Sequence, residues 1–141
     1  MDIRRDFYLN KLIKRKNNGL IKVITGIRRC GKSYLLNNLF YHHLLDEVQM
    51  LDCFVSVLNG YLRKENMDVF VTGSNAKLLS KDVATEFAGR GDEVHMYPLS
   101  FAEFMTVYPG DKYMGLSEYM LYGGIPLVVL REDPKDKAIA L

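Results

Sequence analysis

The stretch "LIKVITGIRRCGKSYLLNNLFYHHL", residues 20–44, decides how this chain folds. Its first seven residues, "LIKVITG", are short, β-branched and closed by a glycine, the pattern of a buried strand. Its last dozen, "SYLLNNLFYHHL", read as helix. Between them "GIRRCGKS", residues 26–33, satisfies G-x-x-x-x-G-K-[ST] in the strand-then-helix context that this spacing requires. Gly26 and Gly31 let the backbone fold into a nest whose N–H groups, joined to a helix start, surround phosphate oxygens. Ile27, Arg28, Arg29 and Cys30 supply the loop backbone between them, and Tyr34 follows it. Lys32 is then expected to reach the β- and γ-phosphates, and the Ser33 hydroxyl to ligate Mg2+.

Working outward, the rest of the chain alternates in type. "IRRDFYLNKLIKRKNNG" places Ile3, Phe7, Leu9, Leu12 and Ile13 near helical spacing and stops at Asn18-Gly19. "LDCFVSVLNGYLRKEN" carries Phe54, Val57, Leu58, Tyr61 and Leu62 at spacings of three and four, a helix with one inward face. "NMDVFVTGSN" reads as a second buried strand. "NAKLLSKDVATEFAGRG" reads as two short helical pieces, and "DEVHMYPL" as an alternating strand ended by Pro98. Ser100 followed by Glu103 matches a capping box and starts a further helix. Strand, helix, strand, helix, strand argues for an α/β fold with a mainly parallel sheet, whose ligands sit at the C-terminal strand ends.

Bulk properties exclude several classes. A chain of 141 residues with 48% apolar and 26% charged side chains can bury one ordinary core. Nineteen Lys+Arg against seventeen Asp+Glu give a formal charge of +2, too balanced to indicate nucleic acid or an anionic membrane. The opening "MDIRRDFYLNKLIKRK" lacks a secretory apolar core, and no stretch approaches a membrane span, so the expected compartment is cytoplasmic. The basic run Lys11, Lys14, Arg15, Lys16 reads first as a solvated helix end, where positive charge is favourable, and as an alternative as a phosphate-contacting patch, which keeps nucleic acid open as a partner. Cys30 and Cys53 are far apart and form no metal motif, and adjacent His42 and His43 point about 100° apart on a helix.

Hydrolysis of a bound triphosphate needs an acidic group for the metal shell and another for water. "LLDEVQ" supplies Asp46 for the metal and Glu47 for the water. "VFVTGSN" ends a buried strand in small polar residues, which places Ser74 or Asn75 at the same sheet edge as the phosphate loop, where either could bond the attacking water or the γ-phosphate. "FAGRGDE" presents Arg90 between glycines, a flexible setting for a guanidinium that stabilises transition-state charge in its own subunit or the next.

"VITGIRRCGKSYLL", "LLDEVQ", "VFVTGSNAKLLSKDVATEFAGRGDE", "PLSFAEF" and "YMLYGGIPLVV" follow one another from about Arg5 to about Leu130. In that order they resemble a large family of prokaryotic AAA+-like P-loop ATPases. The resemblance implies a three-layer RecA-like core that takes ATP and Mg2+. It makes Lys32 and Ser33 the Walker A pair, Asp46 and Glu47 the Walker B pair, Ser74 or Asn75 the sensor, and Arg90 a candidate arginine finger. Residues 1–124 would form the ATPase core and 125–141 the start of a C-terminal helical region. The resemblance also implies a C-terminal domain as a partner of the core, which is expected to lie beyond these residues. A homo-oligomer is compatible with the motifs, and ATP over GTP rests on the resemblance.

One interval departs from the pattern. Ser33 and Asp46 must approach one Mg2+, yet a helix from Lys32 to about His43 carries the chain away by roughly 17 Å at 1.5 Å per residue. In the family this interval is several tens of residues longer and holds another strand and the full Walker B strand. A segment is therefore expected to be missing between about Leu44 and Leu45. Three functions stay open: an ATPase coupling nucleotide state to a partner domain or subunit, a nucleotide-binding switch or scaffold with little hydrolysis, and a P-loop small-molecule kinase.

Overall fold

The computed structural model describes residues 3–39, 45–46, 54–63, 68–73 and 89–140. They divide into two compact units: Asp6–Ile27 with Lys32–Met96, and Met1–Arg5 with Arg28–Gly31 and Tyr97–Leu141.

The first unit holds the sheet. Its elements are α1 (Asp6–Arg15), β1 (Ile21–Gly26), α2 (Lys32–Tyr34) continuing as a π-helical turn (Leu35–Leu39), β2 (Leu45–Asp46), α3 (Phe54–Leu62), β3 (Phe70–Thr72) and β4 (Gly91–Met96). The strand order is β2-β3-β1-β4. Every pairing is parallel: Lys22 opposite Phe70, Ile21 opposite Gly91, and Asp46 opposite Thr72. All six residues of β1 are buried, as an inner parallel strand requires. Ile21, Ile24, Leu35, Leu36, Leu58, Phe70, Val71 and Val94 form the core. The α/β class and the parallel sheet agree with the alternation read from the sequence.

The structure adds which face of α1 is buried and corrects the extent of the helix after the loop. On α1 the buried residues are Tyr8 and Leu12, whereas Phe7 and Ile13 are 63% and 52% exposed. Phe7 is used at the surface instead: its ring lies edge-on to Tyr8 and beneath the Lys11 ammonium, 4.4 Å from the centroid. After the phosphate loop the chain is α-helical for only three residues before the wider π turn begins. Of the two helical pieces expected over residues 75–91, residues 75–88 lie outside the described residues, and 89–91 are turn and the start of β4.

The second unit is helical: α4 (Phe101–Met105), α5 (Lys112–Tyr122), α6 (Pro126–Val129) and α7 (Pro134–Ala140). Ser100 caps α4 through the full reciprocal box, accepting from Glu103 N while Glu103 Oε2 accepts from Ser100 N at 2.9 Å. Asp111 caps α5 by accepting from the Tyr113 and Met114 amides. Lys137 of α7 is ion-paired with Glu118 of α5. The rings of Phe101, Phe104, Tyr108 and Tyr119 pack on one another at 5.1–6.2 Å.

Candidate functional site

The loop after β1 has the backbone of an anion nest. Gly26 at the strand end has φ 146°, Arg29 has φ 66° and Gly31 has φ 91°, while Cys30 between the last two has no positive φ. Alternation of φ sign turns successive N–H groups toward one concavity. A left-handed arginine is uncommon and strained, and such strain concentrates at functional sites. Ile27, Arg28 and Arg29 are exposed, whereas Cys30 is fully buried. Residues Arg28–Gly31 group with the helical unit, and Gly26, Ile27, Lys32 and Ser33 with the sheet unit.

Within the sheet unit, Lys32 is only 7% exposed and its ammonium donates to the carbonyls of Gly26 and Ile27, both at 2.9 Å. A buried ammonium needs such acceptors. These contacts hold its positive charge at the loop's first residues. Ser33 is partly buried at the start of α2, and Tyr34 is 39% exposed.

The acidic strand reaches the same edge of the sheet. Asp46 pairs with Thr72, and Thr72 with Ile24, two residues before Gly26. With strands about 4.8 Å apart, its backbone lies about 10 Å from β1 across β3. The pairing of Asp46 with Thr72 thus puts its backbone at the loop end of the sheet. The compromise is length: β2 has two residues. Glu47, Ser74 and Asn75 lie outside the described residues, as does the Leu44–Leu45 junction.

Arg90 stands elsewhere. Its carbonyl accepts from Ile21 N at 2.8 Å, and its guanidinium donates to Asn59 Oδ1 at 3.3 Å. Ile21 begins β1, and the loop follows its other end. Five strand residues at about 3.3 Å each place Arg90 about 16 Å from the loop. Arg90 thus stands beside the start of β1, at the end of the strand away from the loop.

One cluster beside the loop carries no sequence motif. Buried Thr25, adjacent to Gly26, donates its hydroxyl to Glu93 Oε1 at 2.5 Å and lies 2.9 Å from His95 Nδ1. Only the parallel pairing of Thr25 with His95 brings these residues together.

Residues 41–105 match the family model described as AAA domain. The matched interval begins after the phosphate loop and runs through the capping box of α4. An uncharacterized protein of Haemophilus influenzae is 32% identical over 188 aligned residues, covering 97% of this chain and 47% of the relative. An uncharacterized protein of Methanocaldococcus jannaschii is 29% identical over 185, covering 96% and 41%. The chain thus spans less than half the length of these relatives. No solved structure matches it. The aligned stretches exceed the 141-residue chain by at least 47 and 44 positions, so both relatives carry interior residues with no counterpart here. The fold is α/β with a parallel sheet, and the AAA-domain likeness covers residues 41–105 of it. Among the described residues no helix is long and apolar enough to cross a membrane.

Proposed function

We propose that this chain is an AAA+-like ATP-binding module with Mg2+-dependent ATPase chemistry, coupling nucleotide state to a partner domain or subunit. The observation that carries the reading is the alternating-φ loop at the end of a buried central parallel strand, closed by the Lys32 ammonium. Residues Gly26 to Tyr34 hold the phosphates, with Lys32 turning from the loop carbonyls to the β- and γ-phosphates. The Ser33 hydroxyl and Asp46 carboxylate are the groups that would hold Mg2+, which when bound supplies neutralisation of phosphate charge. Glu47 orients the attacking water, and Ser74 or Asn75 bonds that water or the γ-phosphate. Arg90 acts on a neighbouring copy's site, consistent with its place at the opposite sheet edge.

Binding of a fluorescent ATP analogue tests the reading. Lys32→Ala is expected to weaken binding at least about tenfold, as loss of a charge-assisted contact does. Equal binding by Lys32→Ala and the native chain would sink it.

A second reading, a nucleotide-binding switch with little hydrolysis, is favoured by one observation. The relatives carry tens of interior residues that this chain lacks, and the acidic strand here has two residues. Catalytic positioning tolerates little slack, so loss of residues from the acidic region would cost hydrolysis before binding. This reading expects tight binding with phosphate release at least about tenfold slower than that of the Haemophilus influenzae relative, and no further fall in Glu47→Gln. The first reading expects Glu47→Gln to abolish release.

A further inference from the structure

Arg5 precedes α1, outside every motif, yet its guanidinium is 5% exposed. Three of its contacts lie in the helical unit. Nη2 donates to the Tyr97 carbonyl at 2.8 Å, Nη1 to the Cys30 carbonyl at 3.4 Å, and Nε lies 2.9 Å from Glu103 Oε1. The Glu103 Oε2 atom meanwhile accepts from the Ser100 amide and hydroxyl in the α4 cap. Glu103 therefore balances the buried charge while both its oxygens are held.

The contact with Cys30 matters because of the geometry of one peptide unit. No peptide bond among the described residues is cis. In a trans peptide the carbonyl of Cys30 and the N–H of Gly31 point in opposite directions. A donor that draws the Cys30 carbonyl inward turns the Gly31 N–H outward, and Gly31 is the last left-handed residue of the nest. We propose that Arg5 is a positioning residue of the phosphate loop, orienting the Cys30–Gly31 peptide so that its N–H faces the anion. Glu103 keeps the guanidinium on the carbonyl side, so Arg5 acts through the loop and does not itself meet phosphate. The proposal rests on the nucleotide-binding reading above.

The test uses the 141-residue chain with a fluorescent ATP analogue and 1H–15N spectra of the Gly31 amide, alongside melting without nucleotide. Arg5→Lys keeps the charge toward Glu103 but lacks the fork needed to reach two carbonyls as well. It is expected to melt within a few degrees of the native chain, to bind the analogue about tenfold more weakly, and to lose the nucleotide-induced shift of the Gly31 signal. Arg5→Met is expected to weaken binding at least as much, and because it also strands Glu103, Arg5→Lys decides the matter if Arg5→Met does not fold. Native binding and a native Gly31 shift in Arg5→Lys, with Lys32→Ala failing to bind, would overturn the role of Arg5 and leave the phosphate loop standing. No binding by the native chain would overturn both.

Discussion

Lys22 is fully buried in β1, ion-paired with Asp68 and 5.5 Å from the Phe70 ring centroid. The second Asp68 oxygen accepts from Asn17 N at 2.9 Å, holding the left-handed turn after α1. Breaking one side of such a pair leaves a buried charge uncompensated, which costs about 3–5 kcal/mol. Asp68→Leu is expected to lower unfolding free energy by about that amount in urea titrations, and Lys22→Met with Asp68→Leu to recover most of it. Gly31 illustrates a different limit at the same scale. A Cβ there would meet only Pro126 Cγ at 3.7 Å, an ordinary contact, so the penalty of Gly31→Ala is the φ of 91°. About 1–2 kcal/mol is expected in stability, with weaker nucleotide binding because relaxing φ rotates a nest amide.

At the scale of elements, the glycine pair in "YGGIP" separates into two roles. Gly123 ends α5 with φ 71° and open space around it, while Gly124 lies against the Leu99 carbonyl, 2.1 Å from where a Cβ would stand. Leu99 N also donates to Gly124 O at 2.7 Å, so the two segments are clamped backbone to backbone. Gly123→Ala is expected to cost about 1 kcal/mol and Gly124→Ala at least about 2, read as a difference in melting temperature. Ser100→Ala, which removes half of the α4 capping box, is expected to cost about 1 kcal/mol. The capping box, β1, β3, β4 and α3 were legible because each is a local pattern of spacing and caps. The buried face of α1 was not, since Phe7 and Tyr8 are adjacent and periodicity alone cannot say which turns inward. Nor was the π turn after α2, which has no sequence signature distinct from a helix.

For the whole molecule, the register of β1 against β4 bears most on function. It sets Arg90 beside the start of β1, away from the loop, and the proposed finger role is therefore tested between copies. If so, Arg90→Ala lowers phosphate release steeply, by up to about 10³-fold, and mixing it with Lys32→Ala restores part of the rate, because hybrid neighbours then contain one intact site. No recovery on mixing argues against a shared site. The interval between Ser33 and Asp46 also belongs to this scale. Spacing reads it as short, the relatives carry interior residues this chain lacks, and the parallel pairing of Asp46 with Thr72 puts the acidic strand at the loop's end of the sheet.

The sequence by itself determined the α/β alternation, the phosphate loop and its lysine, because these depend on residue type at fixed local spacing. Tertiary structure alone decided that Arg5 reaches Cys30, Tyr97 and Glu103, that Thr25 meets Glu93 and His95, and that Arg90 stands apart from the loop. Those relations join residues tens of positions apart through strand register and burial, and neither quantity is written in the spacing of any single segment.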